Sequence, residues 1–160
     1  MKRYIAYIGL LLCLCLNACS SQTKPVMSNA NMINIGYYTH YGDRDFDFYI
    51  FHNDSTLREF AKDLKLFYKL ILIDTATFKS IQQYLSDNQV YKLIKDDAPS
   101  EKELLTVKVD TQSISKIETK QYILDYVRKL RKYFETIENE HDRKQLTEMC
   151  DYIYKGSENW

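Results

Sequence analysis

The first eighteen residues decide how much of the chain is left to fold. Lys2 and Arg3 give a basic start, and Ile5 to Leu16 then run for twelve uncharged residues, almost all apolar. Crossing about 30 Å of hydrocarbon takes about 20 apolar residues. The run is too short for that and has the length of a cleavable export signal. Residues 1–18 therefore read as a signal peptide, and Cys13 and Cys15 leave with it.

The run ends in Leu16-Asn17-Ala18-Cys19: an aliphatic residue, a tolerant position, a small residue and a cysteine. This resembles the bacterial lipobox, so the chain resembles a bacterial lipoprotein precursor over its first nineteen residues. The resemblance implies a diacylglyceryl group on the Cys19 sulfur, cleavage after Ala18, and often acylation of the new amino end by a fatty acid such as palmitate. It also implies a lipid-anchored protein of the bacterial cell envelope. Ser20 is not the aspartate that marks inner-membrane retention in some bacteria, which points to the outer membrane where the host has one. Two or three acyl chains hold a protein stably where one does not, at about 0.8 kcal/mol per buried methylene.

With Cys19 lipidated, Cys150 is the one remaining cysteine of the four, so no intramolecular disulfide is available and the domain must rely on its core. Residues 19–31 then comprise the lipidated cysteine and a polar, Pro25-containing tether, and residues 32–160 a single domain of ordinary size. The 22 basic and 22 acidic residues become 20 and 22 without Lys2 and Arg3, a net charge of about −2. That balance argues against nucleic acid as a partner.

Alternation and β-branched or aromatic content predict a hairpin from Met32–Tyr41 and Phe46–Asn53, with Gly42 to Asp45 as its loop. In that register Tyr37 faces Ile50 and Ile35 faces His52 on the core side, while His40 faces Asp47 on the other. A first helix follows, with Thr56 and Glu59 as a capping box. Leu66 to Ile73 predicts a strand, and Asp74-Thr75 offers an N-cap to a second helix carrying Phe78, Ile81, Tyr84 and Leu85 and stopping near Asn88. Lys95 to Glu103 is charged and reads as a surface loop. Leu104 to Val109 and Ser113 to Glu118 are further strands. Two apolar stripes end the chain, Ile123 to Ile137 and Leu146 to Ile153, with a break around Asn139. The order ββαβαββαα indicates an α+β fold, an antiparallel sheet of about four to five strands covered by helices.

No local motif for catalysis survives inspection. The four glycines cannot build a phosphate-cradling loop or a dinucleotide fingerprint. Asp43, Asp45, Asp47 and Asp54 have the spacing of a calcium loop, but its sixth and twelfth positions hold Phe48 and Asp54 instead of glycine and glutamate. His40 and His52 fall on opposite faces of the proposed hairpin, which disfavours a shared metal. His141 and Cys150 are nine residues apart on one helix, half a turn out of phase and about 13 Å along the axis. They cannot act as base and nucleophile within it. Arg128, Lys129, Arg131 and Lys132 form a basic cluster that Asp125, Glu135 and Glu138 dilute, so it reads as a solvated helix face. No cofactor is expected.

One candidate binding surface remains, the outer hairpin face bearing Tyr38, His40, Asp47, Tyr49 and Phe51. The expectation is a membrane-tethered, noncatalytic module that binds a protein of the envelope, as an immunity protein or an accessory to a complex. The alternative is an envelope hydrolase or carbohydrate-binding protein using that same face.

Overall fold

The computed structural model describes residues 30–39, 45–63, 68–93 and 103–158. Within them lie strands β1 (Met32–Tyr38), β2 (Phe46–Phe51), β3 (Tyr68–Leu72), β4 (Tyr91–Leu93), β5 (Leu104–Val109) and β6 (Gln112–Ile117). The helices are α1 (Asp54–Phe60), α2 (Thr75–Asp87), α3 (Lys120–Phe134) and α4 (Glu140–Glu158). The six strands form one sheet in the order β3-β2-β1-β5-β6-β4. The fold is α+β and the sheet mostly antiparallel. Its two edge strands are parallel to their neighbours, β3 to β2 and β4 to β6.

β1 lies at the centre, antiparallel to both β2 and β5. Alternation puts Ile33, Ile35 and Tyr37 on one face, and all three are fully buried. Phe48, Ile50, Leu105 and Val107 share that face, and the apolar stripes of α2, α3 and α4 close over it to form one core. α2 follows one edge strand and precedes the other, so it carries the chain across the sheet. Its thirteen residues span about 20 Å, close to the about 24 Å of five strand spacings. α1 belongs to the opposite face. Its Phe60 packs on Tyr49 and Phe51, with ring centroids 4.7 and 5.3 Å away.

The hairpin register differs from the one the turn signal suggests. Tyr37 pairs with Phe46, Ile35 with Phe48 and Ile33 with Ile50, a slide of four residues from the expected pairing. An even slide leaves every side chain on its own face, which is why the core face was legible while the partners were not. β1 is also held by β5, with Tyr38 opposite Leu104 at its end, so two neighbours and a helix layer fix the register together. The expected loop at Gly42 to Asp45 lies mostly outside the described residues. At its edge, Thr39 N donates to Asp45 Oδ1 at 2.8 Å.

Helix starts follow side-chain chemistry, with one correction. α1 is capped by Asn53, whose Oδ1 accepts from Ser55 N at 2.9 Å and Thr56 N at 3.4 Å. Thr56 and Glu59 fall inside the helix instead of capping it, because Asn53 reaches the free N–H groups first. Asp74 caps α2 as its position suggests. The break around Asn139 is the start of α4: Asn139 Oδ1 accepts from Asp142 N at 3.1 Å. The short strand β4 carries no alternation long enough to reveal itself in sequence. The expected charged loop from Lys95 lies, except for Glu103, outside the described residues.

The chain enters the sheet beside the β5–β6 turn. Asn31 N and Met32 N both donate to Asp110 Oδ1 at 3.0 Å, and Asp110 N donates to Met32 O at 2.8 Å. Asp110 has φ 51°, a left-handed conformation that Asp and Asn adopt more readily than other side-chain-bearing residues. Asp110→Asn, which keeps both the acceptor and that tolerance, is expected to stay within about 0.5 kcal/mol of the wild type in urea unfolding. Asp110→Ala should lose about 1–2 kcal/mol, since two N–H groups lose their acceptor.

Candidate functional site

On the outer face of the sheet, the residues across from Gly36 are Asp47 of β2 and Thr106 of β5. Glycine leaves this point of the sheet bare, and the Tyr38 ring folds back over it. A Cβ built on Gly36 would come within 2.7 Å of the Tyr38 ring carbons. The Tyr38 hydroxyl thereby reaches across the strands and donates to Asp47 Oδ1 at 2.8 Å. Asn34 Nδ2 donates to the same oxygen at 3.0 Å and lies close to Phe48 O at 3.4 Å. Asn34 is only 4% exposed. Burial raises the Tyr38 phenol well above its ordinary range. The hydrogen bond to Asp47 and the charge of that carboxyl act the same way, against an opposing contribution from Thr106. Tyr38 thus stays a neutral donor.

Of the residues expected on this face, Tyr38 and Asp47 meet directly. Tyr49 is half-buried beneath Phe60, and burial followed by the charge of Asp47 raises its phenol. Phe51 is corrected from a surface residue to a core one: it is 1% exposed, because α1 covers this end of the sheet. His40 lies outside the described residues. The expected pairing of His40 with Asp47 is corrected too, since Gly36 takes the place opposite Asp47 once the strands slide by four. Hydrogen bonds to Asp47 Oδ1 and aromatic packing under Phe60 organise this face. Its carboxyl group already holds two donors.

A second polar cluster forms where the first turns of α2 and α4 meet. Asp74, the cap of α2, accepts from Thr77 N at 2.8 Å on Oδ1 and from Thr77 Oγ1 at 2.5 Å on Oδ2. Asn139, the cap of α4, brings Nδ2 to 3.5 Å from the same Oδ2. In return Asp74 N donates to Asp142 Oδ2 at 3.1 Å. Asp142 is 2% exposed. Beside this junction Thr77, Ser80, Tyr133 and Glu138 help line an open cleft of about 380 Å³. Tyr133 stacks on Tyr84 at 3.8 Å and bonds Ser80 through its hydroxyl at 2.7 Å, tying α2 to α3. Sequence reasoning named Asp74 and Asn139 as helix boundaries and missed that they touch.

Cys150 is fully buried, and desolvation pushes its thiol up to about 12, whereas His141 is exposed and contacts Gln145. The two do not form a nucleophile and base. Among the described residues, no three His, Cys, Asp or Glu side chains converge as metal ligands. The two arginines of the basic cluster of α3 are engaged: Arg128 pairs with Asp125 at 2.9 Å and lies 5.9 Å from the Tyr154 ring centre, and Arg131 pairs with Glu135 and, at 2.7 Å, with Asp151. Among the described residues, no helix is long and apolar enough to cross a membrane. No family model, curated protein or solved structure matches the chain.

Gly36→Ala is expected to destabilise the domain by about 1–3 kcal/mol, because the added methyl evicts the Tyr38 ring. In a Tyr38→Ala background the same change should cost much less, a coupling that a double-mutant cycle of urea midpoints will read. Cys150 should resist alkylation at neutral pH in the native protein and react once urea unfolds it, as followed by peptide mass.

Proposed function

We propose that the protein is a noncatalytic, lipid-anchored module of the bacterial cell envelope that acts by binding another protein. The observation carrying this reading is Leu16-Asn17-Ala18-Cys19 directly behind a basic start and a twelve-residue apolar run. Lipid on Cys19 would hold the domain at the membrane, in the outer membrane where the host has one. The tether from Ser20 to the sheet is polar and would keep the domain about 20 Å from the lipid.

The geometry of the chain's entry supports a defined orientation. Asn31 and Met32 are bonded to the β5–β6 turn at one end of the sheet. A short tether would turn that end toward the membrane. The opposite end, with Phe46 and the 46%-exposed Tyr152 in ring contact at 4.8 Å, would face outward, where a partner arrives. An immunity protein stationed against an incoming toxin and an accessory of an envelope complex both fit this arrangement. The alternative of an envelope hydrolase or carbohydrate-binding protein draws less support. It needs an open outer face, and there Asp47 is bonded to Tyr38 and Asn34 while Phe51 is buried.

Mass spectrometry of the mature amino end is expected to find a diacylglyceryl group on Cys19, and Cys19→Ala should move the protein out of the membrane fraction. An unmodified Cys19, or cleavage elsewhere, overturns the anchor. Cross-linking in intact cells should capture the same envelope protein reproducibly. Its failure would remove the binding reading and leave the anchor standing.

A further inference from the structure

Asp74 and Asp142 come together at the meeting of two helix N-termini, where Asp74 N donates to Asp142 Oδ2 at 3.1 Å. Their surroundings are unequal. Asp74 is exposed and richly supplied with donors, from Thr77 N and Thr77 Oγ1, with the Asn139 amide at the limit of reach. Asp142 is 2% exposed, and Asp74 N donates to its Oδ2. Of two adjacent carboxyl groups, the charge on one and the desolvation of the other both oppose the second ionisation. Among the described residues, neither carboxyl makes an ion pair with a lysine, arginine or histidine.

The charged and titratable groups at this junction come from each element around it. From the link between α3 and α4, Glu138 lines the same cleft. From α4, Glu140 is exposed, His141 contacts Gln145, and the Arg143 guanidinium is spent on Ile137 O at 2.8 Å. From the end of β2, His52 stops at Thr75 Oγ1, 3.5 Å away, with its ring 4.6 Å from that of Phe78. α2 carries no acidic group in its first turn beyond its Asp74 cap.

We propose that Asp74 and Asp142 form a one-proton clasp: a proton held by Asp142 and shared with the Asp74 carboxylate fastens the start of α4 to the start of α2, and loss of that proton loosens the attachment. Each helix N-terminus favours negative charge, and burial of Asp142 places the first one on the exposed, donor-rich Asp74. The second carboxyl remains an acid that donates to the first, while its other role is to accept the Asp74 N–H. Consistent with this, the hydrogen bonds from Asp142 and then Thr77 hold Asp74 below the ordinary carboxyl range. Burial, and then the bond to Asp74, raise Asp142 above it.

The signs define the window. Asp142, raised on folding, contributes stability that is complete in acid and is lost as pH rises through its raised value. Asp74, lowered on folding, contributes stability present above the ordinary carboxyl range and lost as pH falls through its depressed value. The clasp is tightest between the two, and loosens on the alkaline side by the titration of one proton.

The test uses the full chain in detergent, with carboxyl-carbon NMR titration from about pH 2 to about pH 8 and urea unfolding from about pH 4 to about pH 8. Asp142 should titrate above free aspartate and Asp74 below it. As Asp142 ionises, the wild-type folding constant should fall by up to about tenfold per pH unit. Asp142→Asn, whose amide can both accept the Asp74 N–H and donate to Asp74, should lack that fall. His52 and His141 are common to both proteins, so the difference between them isolates Asp142. Equal pH slopes in the two proteins would overturn the clasp. So would an Asp142 carboxyl titrating at or below free aspartate, a reading from the wild type alone that decides the matter even if Asp142→Asn does not fold.

Discussion

Everything in this domain leans on β1. It is the first strand made and takes a central place, paired on one side with the next strand and on the other with one that begins more than sixty residues later. Ile33, Ile35 and Tyr37 are its contribution to the core, and none has any exposed surface. Three helices drawn from separate parts of the chain close over that face. Among the described residues Cys150 is a free thiol, so this layer of burial holds them together without help from a disulfide. A strand with two neighbours and a covered face cannot slip without moving all of them, which makes its register a property of the whole molecule.

The edges of the sheet are arranged around that centre. The crossover through α1 returns the chain parallel to β2 and makes β3 an edge strand, whose exposed backbone is partly occupied: Gln145 of α4 donates to Leu72 O at 3.3 Å. Lys69, on the same strand, pairs with Glu148 of α4 at 3.6 Å. A charged residue and a side-chain donor at an edge discourage pairing with another chain. The last helix therefore does three jobs at once, covering the core, shielding an edge and meeting α2 through its first turn.

The outer face shows how a missing side chain organises its neighbours. Gly36 is bare, so Tyr38 can lie down across the sheet, and its hydroxyl then finds Asp47 on the next strand. A face that alternation alone marks as polar and aromatic becomes a layer in which Tyr38 and Asn34 both donate to Asp47 Oδ1. Tyr38 is bonded to the Asp47 carboxyl, and Phe60 packs on Tyr49 and Phe51. For a protein proposed to work by contact, this shifts attention to the end of the domain away from the tether.

Patterns of period two and three to four residues along the chain disclosed the α+β class, five of the six described strands near their final bounds, the four helices and most of the core face. The same patterns marked Asp74 as a cap and Asn139 as a break. These are local properties: alternation, helical stripe and capping chemistry act over a few residues, so the sequence carries them by itself. The resemblance of Leu16-Asn17-Ala18-Cys19 to a lipobox is local in the same sense. Only the tertiary structure decided the four-residue slide of the hairpin, the parallel edges, the burial of Phe51 and the meeting of Asp74 with Asp142, 68 residues apart. Each of these depends on which distant surfaces pack together. The energy that selects among them is the burial of a shared core, and no short window of sequence contains that sum.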